Sequence, residues 1–334
     1  MPGVNPSIHL SAIGTALGEL SLPIEALRRE PGGADYVPLF LQDGFCSYRQ
    51  TERGACELVA DSVRRTLAAG DVDPARIDAV VLCAENFEEF AGTDAAPGTV
   101  ALGARIRIAA ALAALGVSAS YLAGVWSAGC ANFVAGAAIA KGLVAQGIAD
   151  CVLLITVDCD RALPARIMNN GGAVYSDGAS SCVIARAVHG AGGYRIDGIA
   201  LTAEVGLAAI DPRKNPFGYL LSVNRGINKV KRGIGARLGR EPGAYGRILS
   251  PNLRRRSLAI LAESFALPLA RFEMPLKDSV AHVNAADHLL ALEHELAEEA
   301  PGDASLLLFN PGPFAWNFMG LTRVGAGTGN EWIQ

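Results

Sequence analysis

Cys130 is the residue of this chain best placed for nucleophilic chemistry. It stands in Val125-Trp126-Ser127-Ala128-Gly129-Cys130-Ala131-Asn132-Phe133, between a strand-like apolar run and the helix-like run ANFVAGAAIAKGLVAQG. At a helix start, unpaired N–H groups and the positive end of the helix dipole favour thiolate over thiol, and thiolate is the form that attacks acyl groups. The small residues Ala131, Ala135, Gly136, Ala137, Ala138 and Ala140 let neighbouring elements approach closely and hold such a turn rigid. The alternative, a buried inert thiol, is the reading for the other six cysteines, at 46, 56, 83, 151, 159 and 182. They show no CxxC spacing and lie mostly in apolar runs, which implies a reducing compartment and neither a disulfide framework nor a metal site.

Other titratable groups are less telling. His288 and His294 fall in Asp287-His288-Leu289-Leu290-Ala291-Leu292-Glu293-His294, where Asp287 marks a helix start, and both are expected on solvated helix positions. Glu85, Glu88 and Glu89 follow a strand end and are expected in a solvated loop, a carboxylate in a pocket being the alternative. His9 and His189 have no nearby partner in sequence.

Elements that could position Cys130 follow from apolar periodicity. Strands are expected at Ser7–Ile13, Ala79–Cys83, Tyr121–Trp126, Cys151–Val157 and Cys182–Ala187, with helices near 56–69, 102–115 and 131–146. After the turn His189-Gly190-Ala191-Gly192-Gly193 a second set is expected: strands near 195–203, 279–283, 305–310 and 320–324, helices near 253–265 and 287–299. This alternation predicts a layered α/β architecture of two similar halves, 1–188 and 189–334. No charged residue occurs from Ile108 to Ala140, but Gly116, Ser118, Ser120 and the Ser127-Ala128-Gly129 turn break that stretch into helix, strand, turn and helix, so no membrane span is expected.

Composition sets the outer bounds. The chain has 334 residues, 51% of them hydrophobic and 19% charged, enough to bury a large core without a metal or disulfide staple. The N-terminus, MPGVNPSIHLSAIG, lacks a secretion-signal pattern, and a cytoplasmic location is expected. A net charge of −4 gives no overall attraction for nucleic acid, yet twelve basic residues against the single acid Glu241 crowd the segment from Arg213 to Arg256. No aromatic interleaving or nucleic-acid-binding signature accompanies them.

Several segments, in chain order, resemble the β-ketoacyl-ACP synthase III branch of the thiolase superfamily. Gly129-Cys130-Ala131-Asn132-Phe133 is similar to its nucleophile motif, and Tyr175-Ser176-Asp177-Gly178-Ala179 to its F-G-D-G-A stretch. Pro251-Asn252-Leu253-Arg254 matches the second half of H-x-A-N-L-R, Val283-Asn284-Ala285-Ala286 resembles G-N-T-S, and Pro311-Gly312-Pro313-Phe314-Ala315-Trp316 resembles G-G-G-F-x-W. The resemblance spans nearly the whole chain and implies a thiolase-like fold of α/β/α/β/α layers, a homodimer, and an acyl-enzyme thioester on Cys130. It also implies the N–H groups of Cys130 and Gly312 as oxyanion donors and Asn284 in the site. No resident cofactor or metal is implied. The substrate carrier would be a phosphopantetheine thioester on acyl carrier protein, met by segment 213–256 with Asn252 and Arg254 as contacts.

Two departures matter. The family histidine aligns with Leu249, which cannot move a proton, so decarboxylative condensation loses a residue that it relies on. His282, two residues before Asn284 and on its face if 279–283 is a strand, is either a substitute base or a packing residue where the family carries an aromatic. The family's adenine-holding Trp and Arg are also missing, with Cys46 at the arginine position, which favours a carrier protein over coenzyme A. The expected activity is acyl transfer to an O- or N-nucleophile of a small-molecule acceptor in specialised metabolism. A condensing enzyme with an altered triad and a catalytically degenerate partner subunit are the alternatives.

Overall fold

The computed structural model describes residues 7–85, 100–159, 165–168, 171–298 and 305–325, with backbone alone over 100–106. In chain order the first part carries β1 (His9–Leu17), β2 (Leu20–Pro23), α1 (Gly33–Gln42), β3 (Ser47–Gln50), α2 (Ala55–Gly70), β4 (Ala79–Cys83), α3 (Val100–Ala114) and β5 (Tyr121–Val125). Then come α4 (Asn132–Ala145), β6 (Cys151–Asp158) and β7 (Gly178–Ala185). The second part carries β8 (Gly192–Ala200), α5 (Pro216–Lys231), α6 (Ile234–Leu238), β9 (Arg247–Leu249), α7 (Arg255–Ser264) and β10 (Phe272–Glu273). It closes with α8 (Lys277–Val280), α9 (Asp287–Ala297), β11 (Ser305–Pro311) and β12 (Trp316–Gly325).

Ten strands join in the order β10-β9-β11-β12-β8-β1-β7-β6-β4-β5, while β2 and β3 pair separately. The order holds a repeat. In the set β1, β4, β5, β6, β7 the first strand runs antiparallel to the fifth, the fifth antiparallel to the fourth, and the fourth, second and third run parallel. The set β8, β9, β10, β11, β12 has the same order and directions. β1 and β8 join the sets through the pairs His9↔Arg195, Leu10↔Tyr194 and Ser11↔Gly193.

Alternation along each strand assigns its two faces to different cores. In β4, Val81 and Cys83 share a central core with α4 residues Phe133, Val134 and Ala137, α9 residues Leu289 and Leu292, and Leu308 and Met319 of the second set. Val80 and Leu82 face the other way, toward Val59 and Val63 of α2 and Leu112 of α3. The outer face of the second set is covered by Ile227, Val230, Leu238 and Leu258 from α5, α6 and α7. The result is the expected α/β/α/β/α layering, with α4 and α9 in the middle. Each large apolar side chain fully buried there contributes about 1.5–3 kcal/mol. The uncharged stretch 108–140 becomes α3, β5, a turn and α4, and no helix among the described residues is long and apolar enough to cross a membrane.

Two expectations fail. Residues 279–283 are not a strand: α8 ends at Val280, Ala281 takes φ 57° and ψ −149°, and His282 makes one isolated bridge to Tyr175. Positive φ at Ala281 interrupts both helical and extended geometry. His288 is not solvated but 0% exposed, since α9 lies in the central layer between the two strand sets. Its ring stacks on Phe133 at 6.0 Å and Nε2–H donates to the Phe309 carbonyl at 3.0 Å. His294 is half-buried.

Burial pushes the His288 pKa down to about 4, against 6.5 ordinarily. The unfolded chain therefore binds the extra proton first, so stability is full above pH 6.5 and is lost as pH falls from 6.5 toward 4. Denaturant unfolding at pH 7.5 and pH 5 should differ by about 2 kcal/mol from this residue. His288→Leu should flatten that difference, and an unchanged slope would contradict the buried neutral imidazole.

Candidate active site

Cys130 lies where β5 hands over to α4. Gly129 takes φ 56°, and a Cβ there would sit 2.8 Å from Cδ of Pro313, so glycine is required by both conformation and space. One 3-10 turn, Gly129–Ala131, leads into α4 and leaves Cys130 8% exposed. The Asn132 amide ties this turn to the end of β4: Oδ1 accepts the Ala128 N–H at 3.0 Å and Nδ2 donates to the Ala84 carbonyl at 3.1 Å.

The Cys130 Sγ is 3.2 Å from Nε2 of His282 and 3.5 Å from Oδ1 of Asn284. On the far side of the ring, Nδ1 of His282 lies 2.5 Å from Oδ2 of Asp287. The carboxylate accepts there, so Nδ1 carries the proton and Nε2 presents a lone pair to the thiol, a tautomer assigned from the hydrogen bonds. Asp287 also accepts the N–H groups of Asn252 and Val283, each at 2.7 Å. These contacts define a buried Cys-His-Asp relay.

His282 and Asn284 converge on the sulfur even though no strand aligns them. Asn284 opens a short 3-10 turn, and positive φ at Ala281 (57°) and Asn284 (46°) brackets the histidine. Conformations of this kind cost on the order of 1–3 kcal/mol each and persist where surrounding contacts impose them. The Tyr175-Ser176-Asp177 motif supplies part of that frame. Asp177 takes a bidentate pair from Arg166 at 2.5 and 2.9 Å, Ser176 Oγ donates to the Val280 carbonyl, and the Tyr175 ring lies 6.0 Å from that of His282.

The electrostatics reverse the expectation of a thiolate at rest. Burial, followed by the nearby carboxylates of Glu85, Asp158 and Asp287, holds the Cys130 thiol well above its usual pKa. The N–H of Cys130 itself, turned toward the sulfur, offsets only part of this. A helix end supplies about half a unit charge, too little against desolvation and three acids. A nucleophile at Cys130 would therefore have to be made during attack, and His282 Nε2, 3.2 Å from the sulfur, is placed to take the proton. Glu85 is exposed as a whole residue, yet its Oε2 lies 3.7 Å from Sγ, and burial of the carboxylate raises its pKa. Glu88 and Glu89 lie outside the described residues.

The remaining sequence candidates fall elsewhere. Gly312 packs on the Cys130 turn, where a Cβ would lie 2.2 Å from the Ala128 carbonyl oxygen, but its N–H donates to the Ala315 carbonyl at 2.8 Å and is not presented as an oxyanion donor. Asn252 is 4% exposed with Nδ2 donating to the Ala281 carbonyl at 2.6 Å, so it frames the relay and has no face for a carrier. Arg254 is committed to Asp43 at 2.8 Å, with a side chain 13% exposed. In the basic segment Arg240 pairs with Asp197 and Arg247 with Glu273 and Glu295, while Arg213, Lys214, Arg225, Lys229, Lys231 and Arg232 are exposed. Leu249, at the family histidine position, is fully buried in the central core. Among the described residues no group of His, Cys, Asp and Glu is arranged to hold a metal ion.

Asp287 was legible only as a helix start. Asn310 and Asn317, which touch the Cys130 turn, were not identified at all. Their signal was an amide inside an otherwise apolar strand, which demands buried hydrogen-bond partners.

The five layers and the repeated strand order are those of the thiolase fold. The acyltransferase ChlB3 superposes with a TM-score of 0.76 at 16% identity, covering 96% of this chain and 98% of that one. The 3-oxoacyl-(acyl carrier protein) synthase III FabH of Pseudomonas aeruginosa gives 0.69 at 22% identity, covering 95% and 98%. OleA of Xanthomonas campestris, solved with lauric acid and lauroyl-CoA, gives 0.70 at 13%, covering 96% and 100%. No protein-family model and no curated protein sequence matches the chain.

Alkylation of Cys130 by iodoacetamide, followed against pH, reads the relay directly. His282→Ala should suppress the rate near neutrality and restore it only well above the ordinary thiol pKa, because the remaining carboxylates disfavour thiolate. Glu85→Gln removes one of those negative charges and should move the profile to lower pH. A wild-type profile in His282→Ala would show that the imidazole does not serve the sulfur.

Proposed function

We propose that this chain is an acyltransferase that carries an acyl group from a carrier-borne thioester, through acyl-Cys130, to an oxygen or nitrogen nucleophile. The observation that carries the reading is the contact series Cys130 Sγ, His282 Nε2, His282 Nδ1, Asp287 Oδ2. In the first step His282 takes the thiol proton as Sγ bonds to the thioester carbonyl carbon. The bond to the carrier sulfur then breaks and the departing thiolate takes that proton from the imidazolium. In the second step an acceptor O–H or N–H gives its proton to Nε2 while bonding to the same carbon, the C–Sγ bond breaks, and the proton returns to Sγ. Asp287 stabilises the imidazolium formed in each step.

Such an acceptor brings its own nucleophile and requires no decarboxylation, which agrees with leucine at position 249. The Cys130 N–H is the backbone donor assigned here to the developing oxyanion. An acidic carrier protein suits the exposed bases Arg213, Lys214, Arg225 and Lys229 beside Phe217 and Leu220 of α5, which are 72% and 59% exposed. Among the described residues β5 ends the ten-stranded sheet without a partner on its outer side, and Tyr121 and Leu122 are 46% and 48% exposed, an apolar edge suited to a second copy of the chain. The name of ChlB3 as an acyltransferase supports the reading. Carbon–carbon condensation is the second reading, favoured by Asn284 beside the sulfur and by the name of FabH. An inactive partner subunit would have no need of the relay.

Intact-protein mass after incubation with acyl- and malonyl-carrier thioesters tests the proposal. Wild type should gain the acyl mass and Cys130→Ala should not; absence of any adduct on wild type would remove the covalent mechanism. Asp287→Asn should slow transfer by at least about 100-fold. Release of carbon dioxide from a malonyl thioester with formation of a ketone would replace transfer by condensation.

A further inference from the structure

Asn310 and Asn317 are cross-strand partners on β11 and β12, 0% and 3% exposed. Asn310 donates from Nδ2 to the Cys130 carbonyl at 2.8 Å, while its Oδ1 accepts the Val134 N–H at 3.2 Å. In an uninterrupted α-helix the carbonyl of residue 130 and the N–H of residue 134 would bond to each other. The carboxamide stands between them and gives each its own partner. Asn317 treats the next carbonyl alike: Nδ2 donates to Ala131 O at 3.0 Å and Oδ1 accepts the Thr202 N–H at 3.2 Å.

We infer that Asn310, assisted by Asn317, is a positioning residue that keeps Cys130 out of helix α4 and in the open turn facing His282. The inference rests on the acyl-transfer reading of the site. The inserted amide explains why a 3-10 turn over Gly129–Ala131 precedes α4, which begins only at Asn132. A side chain that enters the helical ladder opens it locally. The clamp comes from the second strand set, whereas the nucleophile belongs to the first, so the angle at which Sγ meets Nε2 is held from across the central layer. Neither asparagine hydrogen-bonds to the sulfur or the imidazole; each acts on one backbone carbonyl and one backbone N–H.

Removing the carboxamide has a distinctive expected result. In Asn310→Leu, a near-isosteric change, the Val134 N–H can bond to the Cys130 carbonyl directly and extend α4 backward. The protein should keep most of its thermal stability while its nucleophile turns away. The rate of Cys130 alkylation by iodoacetamide at pH 7.5 should fall about tenfold or more, as misplacement by about 1 Å of a reacting group does, with the slope of its pH profile unchanged. Asn317→Ser, at a residue that holds the neighbouring Ala131 carbonyl and, away from the turn, the Thr202 N–H, should give a smaller loss of the same kind and serves if Asn310→Leu does not fold. A wild-type alkylation rate in whichever variant folds, whether or not its stability has dropped, would overturn the inference and leave a purely structural amide. Acyl loading of the wild-type protein is measured alongside. If wild type loads no acyl group, the acyl-transfer reading fails by itself; if it loads and the folded variants load equally fast, only the positioning inference fails.

Discussion

The hydrogen bond from His282 to Asp287 is the contact around which the site is built. Both groups are almost wholly removed from solvent, so the carboxylate must be satisfied by fixed donors, and it collects the N–H groups of Asn252 and Val283 as well as the imidazole. A buried carboxylate left with fewer partners costs several kcal/mol. The two segments that supply those donors, at Asn252 and at His282–Val283, are therefore held together by the charge, and the ring orientation comes with them. With Nδ1 fixed by Asp287, Nε2 of His282 faces Cys130 Sγ at 3.2 Å.

This arrangement reconciles a poor intrinsic nucleophile with nucleophilic work. The Cys130 thiol sits among three acids in a nearly dry pocket, conditions that suppress free thiolate. Suppression is compatible with catalysis when the proton moves only as the new bond forms, since charge then never accumulates on an unreacted sulfur. It also lowers the reactivity of the resting thiol toward stray electrophiles. The strand repeat places the two partners at the seam between halves: the cysteine follows the third strand of the first set, and the histidine follows the third strand of the second.

Much of the fold was legible because burial leaves a period in the sequence. β4, β5, β6 and β11 and helices α2, α4 and α9 follow runs whose apolar pattern is local. The segment 279–283 misled for the same reason: Val280 and Val283 look like strand residues, whereas the conformation of Ala281 is imposed by the Ser176–Val280 and Asn252–Ala281 contacts, which no periodicity encodes. In the site, Cys130 could be named from residue type and its place at a helix start, whereas Asn284, and His282 two residues before it, were named through the family resemblance. Asp287 could not, because a helix-start aspartate looks the same whether its carboxylate caps its own helix or, as here, holds a histidine. Asn252 and Arg254 were misplaced because the resemblance concerned residue types and not the direction of the side chains, which the Asp287 and Asp43 carboxylates decide.

Leu249 carries a further consequence. An imidazole at that position would bring a polar edge into the central core and, with it, a reason for ordered water. The isobutyl group instead keeps position 249 apolar within that core. Under the acyl-transfer reading, hydrocarbon at position 249 leaves proton transfer in both half-reactions to His282, so donor and acceptor must use the same nitrogen in turn.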